Sequence, residues 1–216
     1  MPDLAPEPEL SLQIAAVTAE TTVRKRPKPG ERRVQILQAL ASMLEQPGGE
    51  RITTSALAAK LEVSEAALYR HFASKAQMFE GLIEFIEQSI FTLVNQITER
   101  EFEPAVRTRK LVLMVLQFAE KNPGMTRVMV GDALVFENDR LQERMNQFFD
   151  KIEASLKQSL REEAALGDTA TPTVDAQVRA SVVVAFMVGR LQRFARSGFR
   201  RLPSEHLEAS LDTVLN

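Results

Sequence analysis

The stretch from Arg51 to Met78, RITTSALAAKLEVSEAALYRHFASKAQM, constrains this chain more than any other. It carries two short helical patterns on either side of a tight turn. Thr53 or Thr54 suits the N-cap of the first, because a hydroxyl there accepts from backbone N–H groups that lack an intrahelical partner. Leu57, Ala58 and Leu61 then form a narrow apolar face that must pack on a neighbour. Glu62-Val63-Ser64 turns the chain, and Ser64 suits the second cap. In the second helix Ala67 and Leu68 face inward, while Glu65, Tyr69 and His71 are polar or amphipathic. Ala66 and Ala67 are small, which lets a helix backbone approach a duplex groove closely. These features together fit a helix-turn-helix.

The flanking patterns are helical too, so the expected fold is all-α. Val34, Leu37, Leu40, Ala41 and Leu44 predict a helix over Glu31–Gln46, stopped by Pro47-Gly48-Gly49. Phe72, Met78 and Phe79 complete the small core of that head. Ser74 suits the cap of a long helix reaching about Arg100, with Phe79, Leu82, Ile83, Ile86, Ile90, Leu93, Val94 and Ile97 on its stripe. Phe85 falls off this stripe, which predicts a surface position. Pro104 starts a further helix whose run Leu111–Leu116 is central, and Asn122-Pro123-Gly124 breaks it. A short helix over Met125–Gly131 and a long amphipathic one from about Asn138 to Ala165 follow. The long one carries Leu141, Met145, Phe148, Phe149, Ile152 and Leu156.

After a polar loop over Gly167–Thr173, Val178, Ser181, Val182, Ala185, Phe186, Gly189 and Arg190 lie on a helix ending near Gly198. Its run Val182–Val188 is apolar all round, so one face packs in the body and another needs a second cover. A second copy of the chain supplies it most simply. Pro203 begins a last helix with Leu207, Leu211, Val214 and Leu215 at helical spacing. The last two helices, paired with their symmetry mates, would build a four-helix dimer interface. Ala180, Ala185 and Gly189 would permit close approach there.

The expected organisation is a disordered basic arm over residues 1–30, a DNA-binding head over 31–78 and a dimerisation and partner-binding body over 79–216. The arm holds five of the ten prolines and the cluster Arg24, Lys25, Arg26 and Lys28, leading into Arg32 and Arg33. It lies along a duplex or serves as a solubilising tail. The whole chain has net charge −2, but Arg24 to Glu80 carries net +4 and the remainder net −6. The basic end suits phosphates, and the acidic remainder suits solvent or another partner.

Other chemistries find little footing. The chain has no Cys, which rules out disulfides and thiolate metal sites. It has no Walker loop or GxGxxG, and His71 and His206 lie far apart with no companion metal ligand. Neither an enzyme, a cofactor nor a metal is expected. The longest apolar run is far shorter than the roughly 20 residues of a membrane span, so a cytoplasmic protein is expected.

At ALYRHFASK, Ala67 to Lys75, the chain resembles TetR-family DNA-binding domains. The resemblance implies a TetR-like fold: a three-helix head joined by a long helix to a helical body. By position it implies phosphate contacts from Thr53, Tyr69 and Lys75, with His71 at the DNA backbone or a base edge. The surface from Ser64 to His71, with Glu65, Ala66, Ala67 and Arg70, would read bases, flanked by Thr54. Two departures stand out: Glu62 replaces the usual turn Gly, and Ala73 replaces the usual Pro. Longer stretches between Glu31 and Gln158, including MFEGLIEFIEQSI and KNPGMTRVMVGDALVFENDRLQERMNQFFDKIEASLKQ, resemble the nucleoid occlusion factors of that family. This implies a nucleoid-associated homodimer on palindromic DNA, with several dimers on one site. It also implies that the FtsZ C-terminal tail docks between the long helix and the next, at Phe85, Leu93, Met114, Gln117, Lys121 and Asn122. Leu93 and Gln117 depart from that pattern. The competing expectation is a ligand-responsive TetR-type repressor with a pocket lined by Phe118, Met129 and Phe148.

Overall fold

Hydroxyl caps decide where the head's helices begin. A computed structural model describes residues 30–215 apart from Gly48, Glu50 and Asp168, and among them every regular element is helical. The expected basic arm lies outside the described residues. After α1 (Glu31–Leu44), Thr53 caps α2 (Thr54–Lys60) by accepting from Ala56 N–H at 3.2 Å. Ser64 caps α3 (Glu65–Tyr69), and Ser74 caps α4 (Lys75–Arg100). Each such cap stabilises its helix by about 1 kcal/mol. Between α2 and α3, Glu62 adopts φ 52, the left-handed conformation that a Gly would take without strain. The loss of Pro at position 73 is compensated, because Ala73 N–H donates to Gln77 Oε1 at 2.8 Å, a bond Pro cannot make.

The body follows the same logic. Pro104 opens α5 (Pro104–Lys121), Pro123 opens α6 (Pro123–Met129) and Pro172 opens α8 (Pro172–Arg196), each pre-set for the first helical turn. A 3-10 turn over Asp132–Leu134 leads to α7 (Asp139–Ala164), capped by the Asn138 side chain, and the chain closes with α9 (Leu207–Leu215). One continuous core joins Ile36, Leu57, Leu68 and Phe72 of the head to Phe148, Met187 and Leu211 of the body.

Five boundaries or faces differ from expectation. The first helix ends at Leu44, and Ile36, Leu40 and Leu44 form its buried face. Val34 is 53% exposed; it sits in the first turn, beyond the helices that cover the rest. The sixth helix starts at Pro123 rather than Met125, since a fixed φ suits the first helical position. The last helix starts at Leu207, four residues after Pro203. Arg190 donates to the Pro203 and Glu205 carbonyls at 2.7 Å and His206 takes φ 53, which holds this segment as a turn. Ala180 is fully buried in its own protomer, so it is unavailable for close approach by a second copy, whereas Ala185 and Gly189 are exposed.

Head and body are joined at close quarters. A Cβ added at Gly124 of α6 would lie 2.0 Å from the Ala41 carbonyl of α1, so only Gly fits. Burial pushes the nearby Glu45 carboxyl up, opposed by a hydrogen bond from the Gly124 backbone. The start of α7 is tied to the head-proximal half of α4: Arg140 pairs with Glu80 at 2.5 Å, and Arg144 grips Glu87 at 2.6 and 3.2 Å. A short connection then returns the chain antiparallel along α7, which places the C-terminal end of α8 on the head side. Arg127 of α6 stacks over Phe199, just past that end, at 5.1 Å.

Candidate DNA and partner interfaces

The outward side of α3 carries most of the expected recognition surface. Ser64, Glu65, Ala66, Tyr69, Arg70 and His71 are exposed, and Ala67 is half-buried beside the fully buried Leu68. Glu65 is held in place by Thr54, whose hydroxyl donates to its carboxylate at 2.6 Å, while the Tyr69 hydroxyl lies 3.5 Å from Thr54. Thr53 is exposed but spends an oxygen lone pair on the α2 cap. Thr54 at the start of α2 and Tyr69 at the end of α3 thus lie side by side, with Thr53 next to Thr54 in the chain.

Two features of the head escape local sequence patterns. Arg33 of α1 donates to the His71 carbonyl at 3.0 Å and lies 4.1 Å over the Phe72 ring, fixing the end of α3. Lys75 is paired with Glu137, whose side chain is only 9% exposed. Next to Glu137, Phe136 stacks beneath Arg51 at 5.0 Å. The loop before α7 therefore touches the head through one ion pair and one cation–π contact. Val135 and Phe136, apolar residues just ahead of the Asn138 cap, are the only hint of this in the chain.

The expected partner residues divide between α4 and α5, which pack on each other. Phe85 and Leu93 lie two turns apart on α4, and both are half-buried. Phe85 is thus less open than expected, because it packs against the core. On α5, Met114, Gln117 and Lys121 follow at i, i+3 and i+7, which puts them on one face. Met114 is half-buried, whereas Gln117 and Lys121 are exposed. Asn122 is half-buried, and its amide donates to the Phe118 carbonyl at 2.8 Å, so it terminates α5 as well as standing beside Lys121. Phe118, Met129 and Phe148, expected to line a ligand pocket, are buried in the common core. Phe148 meets Phe91 and Phe149 edge-on at 5.6 and 5.1 Å.

Comparison with known proteins identifies the family. Residues 36–82 match the family of bacterial regulatory proteins of the tetR type, and residues 103–216 match the SlmA-like form of the tetracyclin repressor-like C-terminal domain. The chain is 52% identical over 178 residues to the nucleoid occlusion factor SlmA of Idiomarina loihiensis, covering 82% of this chain and 90% of that one. It is 50% identical over 192 residues to SlmA of Salmonella paratyphi A, covering 88% and 94%. Among solved structures, a TetR-family regulator from Bordetella parapertussis superposes with a TM-score of 0.68 at 17% identity, over 87% of this chain and 95% of that chain. The TetR-family regulator PfmR of Thermus thermophilus gives 0.65 at 20%, over 85% and 95%. At such identities these two share the fold alone, whereas half-identity across both domains carries the family. The chain belongs to the SlmA family of nucleoid occlusion factors, built on the TetR fold.

Proposed function

We propose that two copies of this chain bind a palindromic duplex through residues 31–78, and that the DNA-bound dimer uses residues 79–216 to engage the C-terminal tail of FtsZ. Ring assembly is thereby antagonised over the nucleoid. The observation that carries this reading is the half-identity to SlmA over most of both chains. The polar, small-residue surface of α3 supports it: Ala66 and Ala67 let the helix enter a major groove, and Glu65 and Arg70 present groups that distinguish base edges. An exposed stripe on α8, with Val174 at 60%, Val178 at 59% and Val182 at 49%, supports dimerisation. Two recognition helices one duplex turn apart require a palindromic site. Phe85, Leu93, Met114, Gln117, Lys121 and Asn122 form the tail-docking surface in this reading.

The test uses a palindrome selected from a random duplex library. FtsZ polymers formed with GTP are pelleted in the presence of the protein, with and without that duplex. A fall in pelleted FtsZ that depends on the duplex is expected. Equal pelleting in both conditions would contradict the reading.

A further inference from the structure

We infer that an arginine-lined cleft at the head-facing end of α8 is a phosphate-binding site, and that two such clefts meet across the dimer axis. The cleft is open, about 410 Å³ in volume, and lined by Gly189, Gln192, Arg193, Arg196, Ser197 and Arg201. It contains three guanidiniums and no carboxylate. Most other body arginines are engaged: Arg107 with Glu162, Arg109 with Glu208 and Asp212, Arg144 with Glu87, and Arg190 with Ser210 and two carbonyls. Arg193, Arg196 and Arg201 are exposed, and their guanidiniums have no hydrogen-bond or ion-pair partner among the described residues.

The wall of the cleft is held by hydrogen bonds and ring contacts. The Ser197 hydroxyl donates to the Phe194 carbonyl at 2.9 Å and accepts from the Arg200 and Arg201 backbone at 3.1 and 3.0 Å. Phe199, at φ 62, packs edge-on against Phe194 at 5.2 Å under Arg127. Burial, and then repulsion from Arg193, pulls the neighbouring Arg190 guanidinium down, while the Glu205 carboxylate opposes both. Guanidinium forks match pairs of phosphate oxygens, and a phosphate has enough oxygens for several forks, whereas one carboxylate is saturated by one.

This inference rests on the proposed dimer, which makes the need for an anion sharper. Val178, Val182, Ala185 and Gly189 run along the exposed face of α8, and Arg193 and Arg196 continue it. Two copies joined along that face with both heads on one duplex hold both arginine sets at the same, head-facing end of the interface, where like charges repel unless an anion lies between them. The cleft also lies on the side of the body where α6 meets the head, which faces the duplex. The phosphate therefore comes from the DNA backbone between half-sites or from a free nucleotide.

Two measurements on the full chain distinguish the sources, using R193Q/R196Q/R201Q and the milder R201Q, each checked for an unchanged melting temperature. The first is affinity for the selected palindrome across a salt series. If the duplex supplies the phosphate, the slope of log K against log salt shrinks by about 0.9 for each phosphate that is no longer neutralised, with sequence preference retained. The second is calorimetric titration with ATP in the absence of DNA. If a free nucleotide supplies it, the parent binds saturably and the triple variant does not. An unchanged slope, together with ATP binding that is absent or equal in both proteins, overturns the inference. Failure of the parent to bind any palindrome would instead count against the DNA-binding reading, and the ATP titration would still decide this one.

Discussion

At the scale of single residues, the decisive contacts in the head are those that local pattern can and cannot reveal. Thr53, Ser64 and Ser74 are legible as caps because a cap needs only a hydroxyl at the right offset. The left-handed Glu62 is legible by resemblance, because it stands where the family carries a turn Gly. Lys75 is legible as a cation at a helix start, but its partner Glu137 lies 62 positions along the chain, and no local rule links them. That pair predicts a gain of function. Glu137→Gln releases Lys75 for phosphate, and DNA affinity at low salt rises by about two- to fivefold, the scale of one partly exposed ion pair. Fluorescence anisotropy on the selected duplex reads this, and unchanged or weaker binding would show that Lys75 does not reach DNA. Tyr69→Ala, by contrast, weakens binding to every duplex alike, because phosphate contacts carry no sequence information; the same anisotropy on matched and mismatched duplexes checks it.

At the scale of elements, helix existence follows from periodicity, but which face is buried depends on neighbours distant in sequence. Periodicity puts Val34 on the stripe of the first helix, yet α2, α4 and α6 together cover Ile36, Leu40 and Leu44. It also starts the last helix four residues early, because the arginine on α8 that captures the Pro203 and Glu205 carbonyls cannot be seen from the helix's own pattern. The contact of α6 with α1 carries a prediction. Gly124→Ala drives a methyl into the Ala41 carbonyl and costs about 1–3 kcal/mol, the usual scale of overpacking. A lowered thermal midpoint checks it. The α5–α7 contact carries another. Arg107 is 7% exposed and bonds Ser159 at 2.9 Å and Glu162. Its guanidinium holds the Glu162 carboxyl below the usual range. A carboxyl whose folded pKa is depressed contributes stability above its unfolded value and loses it as pH falls through the folded one. Glu162→Gln should therefore cost about 1 kcal/mol near neutral pH, reduced by the 39% exposure of the Glu162 side chain, and nothing in strong acid. Denaturant titrations at both pH values measure the difference.

At the scale of the whole molecule, the basic stretch Arg24–Glu80 and the acidic remainder are readable from charge, and the need for a second copy from the apolar run Val182–Val188. The side of α8 left for a second copy is not readable: Ala180 and Ala185 lie on different sides of the helix by their spacing, but which side is covered is set by the packing of α8 on α7. Val182→Asp places a carboxylate in the proposed dimer face, and burying it unpaired weakens self-association by roughly a hundredfold, about 3 kcal/mol. Sedimentation velocity reads the change, and DNA affinity falls with it because the two heads are no longer tethered. The proposed partner surface rests on resemblance alone: Phe85, Met114 and Lys121 obey no rule of periodicity that marks them as a docking site. The most direct test is the anisotropy of a labelled FtsZ C-terminal tail peptide titrated with the full chain, with and without its palindrome. Saturable binding is expected, tighter when the duplex is present and lost in Lys121→Glu. A peptide that binds in neither condition would contradict it.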